Sequence, residues 1–433
     1  MRNPLTKARP VVAAVAVTTI AGLALTGCGR GSSATQAGPG AGTKVSSGKA
    51  TGTINVWAMG TEGEKLQAFV KPFEQANPGA HVKVTAIPWD AAHDKIASAI
   101  ASGKTPDVSL IGTTWMGEFA KAGGLDPTPQ GLVNQGDYYP GGYASTVVGN
   151  TSYGVPWYVE TRVLYYRTDL AKKAGWSKAP TTWAELTKFT QDLKSKAGVK
   201  YPLYLQPGQT GSWQTMLPFA WSAGAKVASA DGKSYSIESP QLTEALNYYK
   251  SFFTNGMSPT GTLDAGALES NFAKGQFGAF VSGPWEMGLV EQAGVKKSQY
   301  TVAPLPGKTS GPGTSFTGGG DLAVFKGSKN RDAAWKLVKW LQDPTVQQNW
   351  YTTVGDLPAV QSAWSSGELA TDPMFAVFNK QLKSATAPPS VPTWEQVAAV
   401  IDDDTEKAVK NAEPVNAAVK DMQSQATSIG TGL

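Results

Sequence analysis

From Thr53 onward the chain switches regularly between two periodicities. Thr53 to Met59 reads as a strand, Gly60-Thr61-Glu62-Gly63 as a turn, and Leu66, Phe69, Val70 and Phe73 then recur at helical spacing up to a stop at Asn77-Pro78-Gly79. Val82, Val84 and Ala86 alternate in a second strand, Ile96 and Ile100 mark a helix, and Asp107 to Gly112 is a short apolar strand of the buried kind. Strand–helix–strand–helix predicts α/β architecture with a mainly parallel, doubly wound sheet, in which ligands bind beyond the carboxyl ends of the strands. The loops there are Gly60 to Glu62 and Gly112 to Trp115, so topology alone sets Glu62, Thr113, Thr114 and Trp115 beside a cleft.

Residues Tyr153 to Leu170 break the pattern. A turn-prone Gly-Val-Pro runs into β-branched and aromatic residues, an extended strand, yet Glu160, Thr161 and Arg162 follow in a row. Charge inside a sheet is costly unless paired, and a lone Glu160–Arg162 pair would read as structural. Downstream, Thr182 to Glu185 is a capping box opening a helix that carries Trp183, Leu186, Phe189 and Leu193 on one face. Tyr201 to Leu205 is a strand with the exit loop Gln206 to Trp213, and Phe277 to Val281 is another, ending in Gly283-Pro284-Trp285. Asp402-Asp403-Asp404 reads as a solvated helix face.

The amino terminus is of another kind. Arg2, Lys7 and Arg9 precede an uncharged run from Val11 to Leu25 and then Thr26-Gly27-Cys28, the only cysteine. That is a secretory signal, too short for a comfortable span, and Leu25 to Cys28 looks like a lipobox with Cys28 as the lipid attachment point. Several acyl chains on one cysteine would anchor the protein stably to the membrane. Residues 28–52 are Gly, Ser, Ala, Thr and Lys with almost nothing to bury, which predicts a flexible tether. Removing 1–27 leaves 406 residues and takes away three cations and no acid, so net charge falls from +5 to +2. That length exceeds one core and predicts two lobes; the near-neutral charge argues against a nucleic-acid partner.

Few residues offer chemistry. His81 and His93 are the only histidines and have no metal-ligand spacing, so neither a metal nor a cofactor is expected. No nucleophile elbow or dinucleotide fingerprint occurs. Glu62, Glu160, Glu286 and Asp321 could supply a glycosidase carboxylate pair, which keeps a secreted carbohydrate-active enzyme as the second reading. A sugar presents apolar C–H faces and many hydroxyls, for which aromatic platforms and charged or amide groups are suited. Trp115, Trp213, Trp285 and Trp394 are the platform candidates at the cleft edge, and Glu62, Glu160, Arg162, Gln206 and Asp321 the polar ones.

The crossover at Tyr153 to Leu170, the Gly283-Pro284-Trp285 loop and the stretch Gly320 to Leu341 resemble the family 1 extracellular solute-binding proteins, the sugar-capturing components of bacterial ABC importers. The resemblance runs from about Thr53 to the carboxyl terminus in element order. It implies two periplasmic-binding-protein-like lobes joined by a multi-strand hinge, with the ligand cleft between them. The first lobe would comprise 53–159 and 264–318 and the second 160–263 and 319–433, with crossings near Val159-Glu160, Leu263-Asp264 and Gly318-Gly319. Matched to the family pattern, Thr61, Glu62, Thr114, Trp115, Glu160, Gln206, Trp285 and Trp394 lie where maltose-binding relatives place contacts. Thr61 stands where such relatives often carry an acid, and the basic residue beside Trp115 is missing, so a short oligosaccharide is expected and maltose itself is not. The implied partners are an oligosaccharide, with a peptide, amino-acid or metal ligand as the weaker alternative, and ABC permease subunits, for a monomer held outside the cytoplasm by its lipid anchor.

Overall fold

A computed structural model describes residues 42–433, and the expected signal peptide, Cys28 and most of the tether lie outside the described residues. Of the tether, residues 42–52 are already held. Gly42 donates to the Thr128 carbonyl at 3.0 Å and accepts from Gln130, and Arg331 donates to the Thr43 carbonyl at 2.7 Å. Ala50 is fully buried, and the first strand begins at Thr51. The expected tether therefore stops short of Gly52, because the backbone of this polar stretch finds partners on the folded chain.

Two sheets organise the protein, one in each lobe. In the first, Gly79–Ile87, Thr51–Met59 and Val108–Gly112 run parallel, and Ser315–Val324 joins Val108–Gly112 antiparallel. Val155–Thr161 pairs with the far side of Ser315–Val324, and Leu357–Pro358 closes that edge. The second sheet runs Tyr300–Ala303, Val163–Arg167, Phe277–Ser282, Tyr201–Tyr204. The crossover strand of the sequence is thus two strands in two sheets, broken at Arg162, where the chain leaves the first lobe for the second.

The other expected crossings need correction. Phe277–Ser282 does not return to the first lobe: it lies parallel to Tyr201–Tyr204 and antiparallel to Val163–Arg167. Ser315–Val324 sits in the middle of the first sheet, and Arg331–Trp340 packs upon it there. The assignment of 264–318 to the first lobe and of 319 onward to the second is therefore reversed for these strands. Leu263-Asp264 lies within the second lobe, between the helices Pro240–Thr254 and Ala267–Ala273. The chain recrosses between Ala303 and Ser315, and again between Pro358 and Trp394. Every residue of Val108–Gly112 is buried, as are nearly all of Phe277–Ser282, and such strands show no alternation that would say which sheet holds them.

The terminal helices Trp394–Val409 and Val415–Ile429 pack on Trp213–Ser222 and Pro240–Thr254 of the second lobe. The acidic run at 402–404 is not a solvated face. Asp402 accepts from the Gly211 N–H (2.8 Å), the Ser212 hydroxyl and the Trp213 N–H (both 2.7 Å), and buried Asp404 pairs with Lys407 at 2.6 Å. Two positions apart on a helix, 402 and 404 point to different sides: Asp402 is buried against the 211–213 turn and Asp404 beside Val415–Ile429, where it accepts from Gln425 at 3.3 Å, while Asp403 stays in solvent. No helix among the described residues is long and apolar enough to cross a membrane.

Candidate functional site

Four segments meet at the mouth between the lobes. From the first lobe comes the turn after Thr51–Met59, where Gly60 takes φ +51 and a Cβ there would stand 3.0 Å from the Trp89 indole. The turn drives directly into the helix Gly60–Phe69, whose first turn holds Glu62, 7% exposed. Burial raises the Glu62 carboxyl above its usual range, opposed by its own N–H and the Tyr158 hydroxyl. The loop after Val108–Gly112 brings Thr113, Thr114 and Trp115, and the Trp115 ring lies 3.1 Å from where a Cβ on Gly112 would be. Trp89 stands edge-on to Trp115 at 5.7 Å, with His93 at 5.4 Å behind.

The crossover strand contributes Tyr158 and Glu160. Alternation along Val155–Thr161 sends Trp157 and Val159 into the core and these two toward the cleft. Arg162, 9% exposed, sits behind them at the hinge. It donates through Nη1 to Glu160 Oε2 at 3.2 Å and through Nη2 to Gln214 Oε1, and its guanidinium lies 4.6 Å from the Trp285 ring centre and 5.6 Å from that of Phe316. From the second lobe, Trp285 opens the helix Glu286–Gln292 and remains 45% exposed; with Trp89 at 38%, it is one of only two exposed tryptophans among the described residues. A Cβ on Gly283 would collide with the folded-back indole and approach Arg162 Nη1, so glycine there lets the ring lie over the guanidinium. Tyr165 fixes the same turn by donating to the Gly283 carbonyl at 2.6 Å.

Two contiguous cavities result. The inner one, about 350 Å³, is lined by Glu62, Trp89, Trp115, Gln214 and Phe316 among others; the outer, about 510 Å³, by Met287, Tyr351 and Phe375. Tyr158, Glu160, Trp285 and Asp356 line both. Asp356 accepts from Trp350 Nε1 at 3.0 Å, and burial, with the Glu62 charge and then Glu160 adding to it, pushes its carboxyl up to about 8. These volumes suit a small ligand, and the lining offers indole faces plus carboxylates.

The structure brings together Glu62, Thr114, Trp115, Glu160 and Trp285, with Arg162 directly behind. It does not bring in the others. Thr61 is exposed and lines neither cavity. Gln206 ties its own loop, donating to the Thr210 carbonyl at 3.2 Å. Trp213, 4% exposed, and Trp394 lie edge-to-face at 5.1 Å inside the second lobe's core, because Asp402 caps the turn ahead of Trp213 and points the ring inward. Its neighbour Gln214 faces the cleft instead. Asp321 is fully buried, bonded only by the Ser145 hydroxyl at 3.1 Å, at a register shift between Gly320 and Asp321 that accompanies this inward position. Trp89, Tyr158, Gln214, Phe316 and Asp356 escaped the sequence reading. For Tyr158 a signal existed, since it lies two residues from Glu160 and so on the same strand face.

Comparison with known proteins agrees with the two-lobe α/β fold. Residues 58–348 match the family described as bacterial extracellular solute-binding protein. The solved structure of the sugar-binding protein MalE from Xanthomonas citri is similar at a TM-score of 0.82 and 33% identity, over 87% of this chain and 97% of that one. The diacetylchitobiose binding protein DasA of Streptomyces coelicolor is 29% identical over 303 residues, 67% of this chain and 69% of its own. A maltooligosaccharide ABC transporter solute-binding lipoprotein of Streptococcus pneumoniae is 27% identical over 368 residues, 78% of each.

Proposed function

From the premise that the chain belongs to the bacterial extracellular solute-binding protein family, we propose that it is the oligosaccharide receptor of an ABC importer. The observation that carries this reading is Trp285, an indole held half-exposed at the cleft mouth by Gly283 and Arg162, opposite Trp89 and Trp115. Each indole offers a flat apolar face to sugar C–H groups, while Glu62, Glu160, Asp356 and Gln214 accept or donate to hydroxyls. The names of the relatives above, all binding proteins for sugars, support a saccharide of a few units.

In this reading a disaccharide or small glycoside occupies the inner cavity, and the lobes close on it about the crossings at Arg162, 303–315 and 358–394. Cys28, acylated at the end of the signal sequence, tethers the receptor outside the cell next to the permease. Native mass spectrometry of protein purified from its own cell envelope tests the ligand. A non-covalent adduct with the mass of an intact saccharide supports the reading, and an amino-acid or peptide adduct contradicts it. Scattering under saturating sugar should show contraction, and an unchanged envelope would count against hinge closure.

A further inference from the structure

We propose that the saccharide bound in this cleft carries a protonated amine, its ammonium group seated among Glu62, Glu160 and Asp356. The inference rests on the sugar reading above and narrows its ligand class. It starts from an imbalance of charge. Three carboxylates line the inner cavity, and among the described residues no lysine or arginine lines it. Arg162 stands behind, where Nη1 donates to Glu160, Nη2 donates to Gln214 and its flat face lies over Trp285. It therefore balances Glu160 and leaves Glu62 and Asp356 without a cation.

Neither of those two is otherwise compensated. Asp356 accepts one hydrogen bond from a neutral indole, that of Trp350. Glu62 is almost fully buried, and its opposing contacts, its own N–H and the Tyr158 hydroxyl, are neutral as well. Both carboxyls are pushed upward, first by burial, and in Asp356 also by the Glu62 and Glu160 charges, the direction expected where acids face one another. The outer cavity repeats the imbalance: Glu291, Glu368 and Asp372 face a single Lys297, whose Nζ lies 3.9 Å from Asp372. Without the expected signal sequence the chain carries a net charge of +2, so this acidity belongs to the cleft and not to the composition.

In the free protein a proton retained on Asp356, whose carboxyl is pushed up to about 8, relieves the repulsion; hydroxyl groups can satisfy the oxygens but do not let all three acids ionise. An ammonium supplies three N–H donors and the missing positive charge together. The aromatic lining points the same way, independently of the acids: Trp89, Trp115 and Trp285 surround the inner cavity, and indole faces attract cations as well as sugar faces. A cage of indoles and carboxylates selects an amine-bearing sugar over its neutral counterpart.

The test uses secreted Cys28→Ser protein, so that no acyl chain intervenes. It is titrated calorimetrically with three pairs of disaccharides of α-1,4, β-1,4 and α,α-1,1 linkage, each a neutral sugar and its 2-amino-2-deoxy counterpart. The amine-bearing member of the best-bound pair should bind at least tenfold tighter. That gap should shrink severalfold in Asp356→Asn and in Glu62→Gln, whose melting temperatures confirm that they fold. Neutral sugars binding as tightly as their amines, with the variants leaving the ratio unchanged, would overturn the inference and leave the sugar reading standing. Binding of none of the six would overturn both.

Discussion

Replacing Trp285 by alanine separates a ligand platform from a packing residue. A whole tryptophan side chain buries roughly 250 Å² at most, so the 45% left exposed amounts to about 110 Å². Covering all of it would be worth about 3 kcal/mol at ~25 cal/mol/Å². A sugar ring covers only part, so the expected loss on Trp285→Ala is about 2 kcal/mol, the size of an aromatic hot spot, or roughly 30-fold in Kd. Folding loses the part of the indole already covered, roughly 140 Å² or at most about 3.5 kcal/mol at ~25 cal/mol/Å². Of this the contact with Arg162 at 4.6 Å is about 0.5–1 kcal/mol, so it is the loss of affinity that marks a platform. Calorimetric titration gives the first quantity and urea unfolding of the free variant the second. Unchanged affinity in a destabilised variant would refute the reasoning and take Trp285 out of the site.

Three further outcomes follow from other parts of the structure. Burial pushes the Asp321 carboxyl up to about 8, well above the roughly 3.9 of an unfolded chain, so the native state holds a proton that the unfolded state has lost. Its contribution is complete below about pH 4 and fades as pH rises toward about 8, by an amount on the order of a few kcal/mol. Asp321→Asn should remove that decline in urea unfolding at pH 5, 7 and 9, and parallel curves for the two proteins would contradict it. Asp402→Ala loses three hydrogen bonds to the turn at 211–213 and should cost about 2–3 kcal/mol, with early proteolysis in the loop 206–212; wild-type melting would show that Asp402 is dispensable. Cys28→Ser should appear in the culture medium, and retention on the membrane would end the anchor proposal.

What could be read from the sequence was the part written in local pattern. The strand–turn–helix order placed Glu62, Thr114 and Trp115 at the cleft, because the end of a parallel strand fixes where its loop emerges. Gly283-Pro284-Trp285 was legible because a rigid turn at a strand end leaves its indole few other directions. Lobe membership of Phe277–Ser282 and Ser315–Val324 was not, since a fully buried strand is apolar on both faces whichever sheet holds it. Trp213 and Gln214 were exchanged because one residue of helix phase decides between core and cleft, and that phase depends on Asp402, 189 positions away. Asp356 entered the cleft only through the fold, after the glycine that ends Pro344–Val354.

In the function proposed here, the cleft between the lobes captures an oligosaccharide and leaves it intact. Titrating the secreted protein calorimetrically with malto-, cello- and chito-oligosaccharides of two to four units, then recovering the sugars by chromatography, tests it most directly. At least one saccharide should bind at a single site with micromolar or tighter affinity and return unchanged, with its Kd weakened roughly 30-fold in Trp285→Ala. Cleaved sugar, or binding confined to peptides or amino acids with no heat from any saccharide, would contradict that function.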